Sequence, residues 1–91
     1  MIEVKRLDEG DPMIFQVTVR DEGGTGRYQV TMAQATYRKL TGGKVSPDRC
    51  IQAAFEYLLQ RESKESILSN FDMTMISAYF PTFGSEFKDY L

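Results

Sequence analysis

The chain predicts an α+β fold in a single domain of 91 residues: a three-stranded antiparallel β-meander over 1–32, then a cluster of four to five short helices over 33–91. Three observations carry this prediction. Apolar residues alternate with a period of two through the first third of the chain. After Met32 they recur every three or four residues instead. Glycine, proline and small polar residues mark the boundaries between the runs. The length suffices for one core and is too short for two. The 42% apolar content, with six Phe and five Tyr, is too rich for a disordered chain.

The first strand is weakly patterned, with Ile2 and Val4 on one face. The polar run Leu7-Asp8-Glu9-Gly10-Asp11-Pro12 reads as a connection. In the second strand Met13, Phe15, Val17 and Val19 point one way, and Gln16, Thr18 and Arg20 the other. Ile14 breaks the alternation, which predicts a central strand covered on both faces. Asp21-Glu22-Gly23-Gly24-Thr25-Gly26 reads as a hairpin turn. The third strand, Arg27–Met32, carries Tyr28, Val30 and Met32 on its inner face.

The helical part opens with Ala33–Leu40, which places Ala33, Tyr37 and Leu40 on one stripe and stops at Gly42-Gly43. The next helix has the strongest start signal in the chain. Ser46 is a capping residue, Pro47 suits the first helical position, and Asp48 suits the positive end of the dipole. Its apolar stripe is Ile51, Ala54, Phe55, Leu58 and Leu59, with Arg49, Gln52, Glu56 and Gln60 outward. Three short helices are expected beyond it. Ser63 caps one carrying Ile67 and Leu68, which ends near Asn70. Asp72 caps one carrying Met73, Ile76, Tyr79 and Phe80. Thr82 caps one carrying Phe83, Phe87, Tyr90 and Leu91. Helices this short depend on tertiary packing.

The formal net charge is −2, which gives no general attraction to nucleic acid or anionic membrane. Its distribution is uneven. Residues 1–22 sum to −3, 23–50 to +4 and 51–91 to −3. The positive segment holds Arg27, Arg38, Lys39, Lys44 and Arg49, the candidate anion contacts of the chain. A single cysteine forbids an intramolecular disulfide and fits a reducing compartment. The start of the chain lacks the apolar run of a signal peptide, and no stretch is long and apolar enough to span a bilayer. A cytoplasmic protein without a membrane association is expected.

Catalytic and metal chemistry find little material. There is no histidine, which removes the commonest general base and the commonest metal ligand. Cys50 sits near a helix start, where a thiol is activated, but beside Ile51 it reads as a buried apolar residue. Gly42-Gly43-Lys44 before the Ser46 helix has the composition of an anion-binding turn. Pro47 deletes a donor there, so a plain interhelical turn is expected. The acidic pairs at Asp8, Glu9, Asp11, Asp21 and Glu22 match no calcium-loop spacing. No cofactor, metal or catalytic residue is therefore expected. The helix–turn–helix spacing at 34–60 would present Arg49 and Glu56 together, a poor phosphate-binding face.

Phe55-Glu56-Tyr57-Leu58-Leu59-Gln60-Arg61-Glu62, then Ser66-Ile67-Leu68, Phe71-Asp72 and Ile76-Ser77-Ala78-Tyr79-Phe80-Pro81, form a distinctive series. It resembles a family of small uncharacterised bacterial proteins of similar length, over roughly residues 28–87. The resemblance implies an architecture and a bacterial setting and carries over no functional residue. Within the series, Arg61 and Glu62 end the Ser46 helix, where a cation suits the negative dipole end; alternatively they pair across the bend with Asp72 or Lys64, or Glu62 pairs with Arg38.

The aromatic run Tyr79-Phe80-Pro81-Thr82-Phe83 admits two readings. It closes the core as a helix corner, or it forms an exposed patch for a protein partner. Tyr79, Phe80 and Phe83 are thus the candidate protein contacts. The functional expectation is a non-enzymatic interaction or adaptor domain that self-associates, through this patch or the outer sheet face. The alternative is a small nucleic-acid-associated or antitoxin-like regulator using segment 23–50.

Overall fold

The computed structural model describes residues 1–91. Its elements run β1 (Ile2–Asp8), β2 (Met13–Asp21), β3 (Gly24–Met32), α1 (Gln34–Thr41) and α2 (Pro47–Leu59). A 3-10 turn (Lys64–Ser66), β4 (Asn70–Asp72), α3 (Thr74–Tyr79), α4 (Phe83–Glu86) and a closing 3-10 turn (Phe87–Tyr90) follow. The α+β class holds, with three strands first and a fourth, β4, set among the helices that follow.

The sheet has four strands in the order β1-β2-β3-β4, so the three-strand expectation falls one short. The first three are the antiparallel meander. The fourth pairs in parallel with β3, setting Gln29 against Asn70, Val30 against Phe71 and Thr31 against Asp72. Sequence patterning put a helix end at Asn70 and a helix cap at Asp72. Three residues are too few for a period of two to show, and their partner strand lies some forty positions earlier in the chain.

Alternation in β2 and β3 does what a half-buried sheet demands. Met13, Phe15, Val17, Val19, Tyr28, Val30 and Met32 are all buried on one face. Gln16, Arg20, Arg27 and Gln29 stand exposed on the other. β2 lies between β1 and β3, yet its outer face is open and Ile14 is only half-buried there, so the expected double cover is absent. Between β2 and β3 the hairpin turns at Glu22-Gly23, and the Asp21 carboxylate accepts from the Gly23 N–H at 2.8 Å. Gly26 is dictated by packing. A Cβ there would fall 2.4 Å from the Tyr28 hydroxyl, whose ring lies folded over the glycine.

The helices cover the inner face. α2 begins as its sequence requires: Ser46 Oγ accepts from the Arg49 N–H at 3.1 Å, with Pro47 in the first turn. Cys50, Ile51, Ala53, Ala54, Phe55, Tyr57 and Leu58 are its buried residues. α1 has no capping side chain of its own. Asp11, from the β1–β2 connection, accepts from the Gln34 N–H at 3.0 Å instead. Gly42, at φ 65°, ends the helix in the left-handed region.

Residues 83–91, α4 and the closing 3-10 turn, form a strap across α2. Phe83 and Phe87 are fully buried, with ring centroids 4.7 Å apart. Phe83 meets Tyr57 edge-on at 5.0 Å. The strap is pinned by polar contacts at its margin. Tyr57 donates to Glu86 at 2.9 Å, Tyr90 donates to Gln60 at 2.8 Å, and Arg49 donates to the Tyr90 carbonyl. The Arg61 guanidinium lies 3.6 Å from the Tyr57 ring centre and 3.6 Å from Glu86. The pairings expected across the bend, Arg61 with Asp72 and Glu62 with Lys64, and that of Glu62 with Arg38 are not the ones formed. Asp72 serves Thr31 and Thr74, and Lys64 serves Asp21 and Glu65.

Candidate protein-binding groove

An apolar groove of about 200 Å³ opens where α2, β4 and α3 meet. Leu58 comes from the last turn of α2, and Ile67 from just beyond the 3-10 turn. Phe71 is the middle residue of β4, and Ile76 faces inward from α3. These four are buried and make the floor. Met75 and Phe80 are half-buried walls. Leu68 and Tyr79 form the rim, at 51% and 70% exposure. Large apolar side chains so exposed normally stand singly on a surface, whereas these two border one concavity.

Local structure accounts for the shape. β4 is brief because the main chain leaves it at once. Asp72 accepts from the Thr74 N–H at 3.1 Å and the Thr74 hydroxyl at 2.7 Å, and α3 starts there. Burial raises the Asp72 pKa, but the hydrogen bonds from Thr31 and Thr74 outweigh it and hold the carboxyl below its ordinary value. This turn holds α3 against β4, and the space left between them is the groove.

One charged residue lines it. Glu62 is half-buried at the rim and forms no ion pair. Its neighbours explain why: Arg61 turns to Glu86, and Lys64 turns to Asp21 and Glu65. The groove therefore offers an apolar bed with one unmatched negative charge beside it.

The structure divides the aromatic candidates. Tyr79 is exposed and Phe80 half-buried, and both line the groove. Phe83 is fully buried against Tyr57 and Phe87, so it is a core residue and meets no partner. Its place on the inner side of the strap follows from the α4 turn, which sequence spacing does not orient. Leu58, Glu62, Ile67, Leu68, Phe71 and Met75 are among the other residues of the site, and sequence patterning did not gather them. The one available signal was the apolar pair Ile67-Leu68 between serines, which spacing places on a short helix instead.

The cationic candidates are scattered. Arg27 lies on the open sheet face towards the hairpin. Arg38, Lys39 and Lys44 are exposed on α1 and its turn, and Lys39 borders a shallow cleft between α1 and α3. Arg49 is tied to Glu56 at 2.8 Å and to the Tyr90 carbonyl. Cys50 is fully buried, and burial pushes its thiol up to about 12, far from the thiolate a nucleophile needs. No three His, Cys, Asp or Glu side chains converge as a metal site would require. No helix is long and apolar enough to cross a membrane. No protein-family model, curated protein or solved structure matches the chain.

Proposed function

We propose that this chain is a protein-interaction module whose groove receives a short partner segment with apolar anchors and one basic residue. The observation that carries the reading is the convergence of Leu68 and Tyr79 on one concavity beside the unpaired Glu62. Apolar anchors would cover Leu68, Tyr79 and Phe80, and a Lys or Arg would answer Glu62. A cavity of 200 Å³ accommodates one or two side chains, so a transient, micromolar contact is the appropriate scale. The reading gives the chain no catalytic role. Its support is the lack of histidine and the raised pKa of the only thiol. A cytoplasmic setting belongs to the same reading, supported by that single, unpaired cysteine.

Selection of the full chain against a random peptide library tests it. Enriched peptides should share two apolar positions and a Lys or Arg. Leu68→Asp should weaken them about tenfold or more, and Glu62→Lys should reverse the preference for a basic residue. Peptides that bind equally well to Leu68→Asp would place the contact elsewhere.

A further inference from the structure

The five large apolar residues left exposed fall mainly into two places. Leu68 and Tyr79 rim the groove; Met1 directly precedes β1 and Leu7 lies near its end, at the opposite edge of the sheet. β1 has only one neighbour, so its outer edge presents unpaired main-chain groups.

Which groups point outward follows from the register. The Arg20 N–H donates to the Met1 carbonyl at 2.9 Å, and the register continues as Glu3 against Thr18 and Lys5 against Gln16. In an antiparallel ladder, hydrogen-bonded and non-bonded pairs alternate. Odd residues of β1 therefore bond to β2, and Ile2, Val4 and Arg6 turn their N–H and C=O groups to the free edge. The regular register ends at Arg6: Leu7 is skipped, and pairing resumes one residue out of step as Asp8 against Ile14.

We infer that β1 pairs with β1 of a second copy, antiparallel and centred on Val4, to make one continuous eight-stranded sheet. Charge selects the register. Centring on Glu3 or on Lys5 would set like charges face to face, which disfavours both. Centring on Val4 sets Glu3 of each copy opposite Lys5 of the other, and does so twice by symmetry. It matches Ile2, Val4 and Arg6 with Arg6, Val4 and Ile2, the outward-facing residues, for about six main-chain hydrogen bonds. Glu3 and Lys5 then form non-hydrogen-bonded pairs, in which opposed side chains stand closest. Glu3 already bonds to Arg20 of its own chain, so its carboxylate would lie between two cations. The same register brings Met1 of one copy up to Leu7 of the other and covers the half-buried Ile2 and Val4.

Sedimentation of the full chain from micromolar to hundreds of micromolar tests this pairing. Wild type should dimerise. Lys5→Glu should raise the dissociation constant about tenfold or more, because two attractions become two repulsions. Adding Glu3→Lys to Lys5→Glu restores opposite charges and should recover much of the loss, while circular dichroism shows all variants folded. Leu68→Asp, in the groove, should leave the dimer unchanged. A monomeric wild type at the top of the range would overturn the inference, as would a Lys5→Glu chain that dimerises like wild type. A dimer abolished by Leu68→Asp alone would move the interface to the groove.

Discussion

Lys64 is the one charged side chain withdrawn from solvent, at 5% exposure. Its ammonium contacts Asp21 at 2.7 Å and Glu65 at 2.6 Å, and its carbonyl accepts from the Tyr28 hydroxyl at 2.6 Å. It thereby ties the β2–β3 hairpin to the segment that follows α2. The Lys64 hydrogen bond holds the Asp21 carboxyl below its ordinary 3.8, and the Asp21 hydrogen bond, then that of Glu65, holds Lys64 above its ordinary 10.5. A depressed carboxylate stabilises the fold above its unfolded value, and the contribution is lost as pH falls through the folded value. A raised ammonium stabilises below its unfolded value, and that contribution is lost as pH rises through the folded one. The thermal midpoint should therefore drop at the acid end, from 3.8 downwards, and again at the alkaline end, above 10.5. Lys64→Met keeps the buried stem and removes the charge, so it should flatten the acid-side drop. An unchanged acid slope in that variant would mean that the pair does not stabilise the fold.

Among the elements, α2 and the strap differ in how they hold. α2 has its cap, its first-turn proline and a full apolar face, so local signals and packing agree. The strap is broken into a four-residue helix and a 3-10 turn, with no capping side chain on either. It is held by where its aromatics fall. Phe83→Ala should cost about 3–5 kcal/mol by leaving a cavity under Tyr57. Tyr79→Ala, a few residues away on the exposed rim, should stay within about 0.5 kcal/mol. Urea unfolding of the two variants separates them. Equal losses would mean that Tyr79 belongs to the core and not to a binding rim. A domain of this size has about 5–15 kcal/mol in all, so Phe83→Ala brings it close to unfolding.

For the whole molecule, the two proposed surfaces sit at opposite edges of one sheet. A dimer through β1 would carry its grooves outward, with the two β4 strands about 34 Å apart across seven strand spacings. Such an assembly is bivalent. Two copies of a groove-binding peptide joined by about 40 Gly/Ser residues span that distance. The tandem ligand should bind wild type about a hundredfold or more tighter than the single peptide, by effective concentration. Lys5→Glu should remove that gain and leave single-peptide affinity intact. Retention of the gain in Lys5→Glu would show that the two grooves are not linked through β1.

What the chain announced by itself were its short-range features. The meander showed as a period of two in β2 and β3, and α2 as a cap, a proline and a stripe. The burial of Cys50 followed from its neighbours. Each is set by residues within a turn or a strand of one another, so spacing along the chain reports it. Tertiary structure alone decided the rest. Val30 meets Phe71, Lys64 meets Asp21, and Asp11 caps a helix that starts at Gln34. Those pairings join distant segments, and their partners leave no periodic trace. The same holds for the aromatics of the last stretch: their composition demanded a cluster, but whether Tyr79 or Phe83 faced water depended on how a three-residue strand turned α3 against α2.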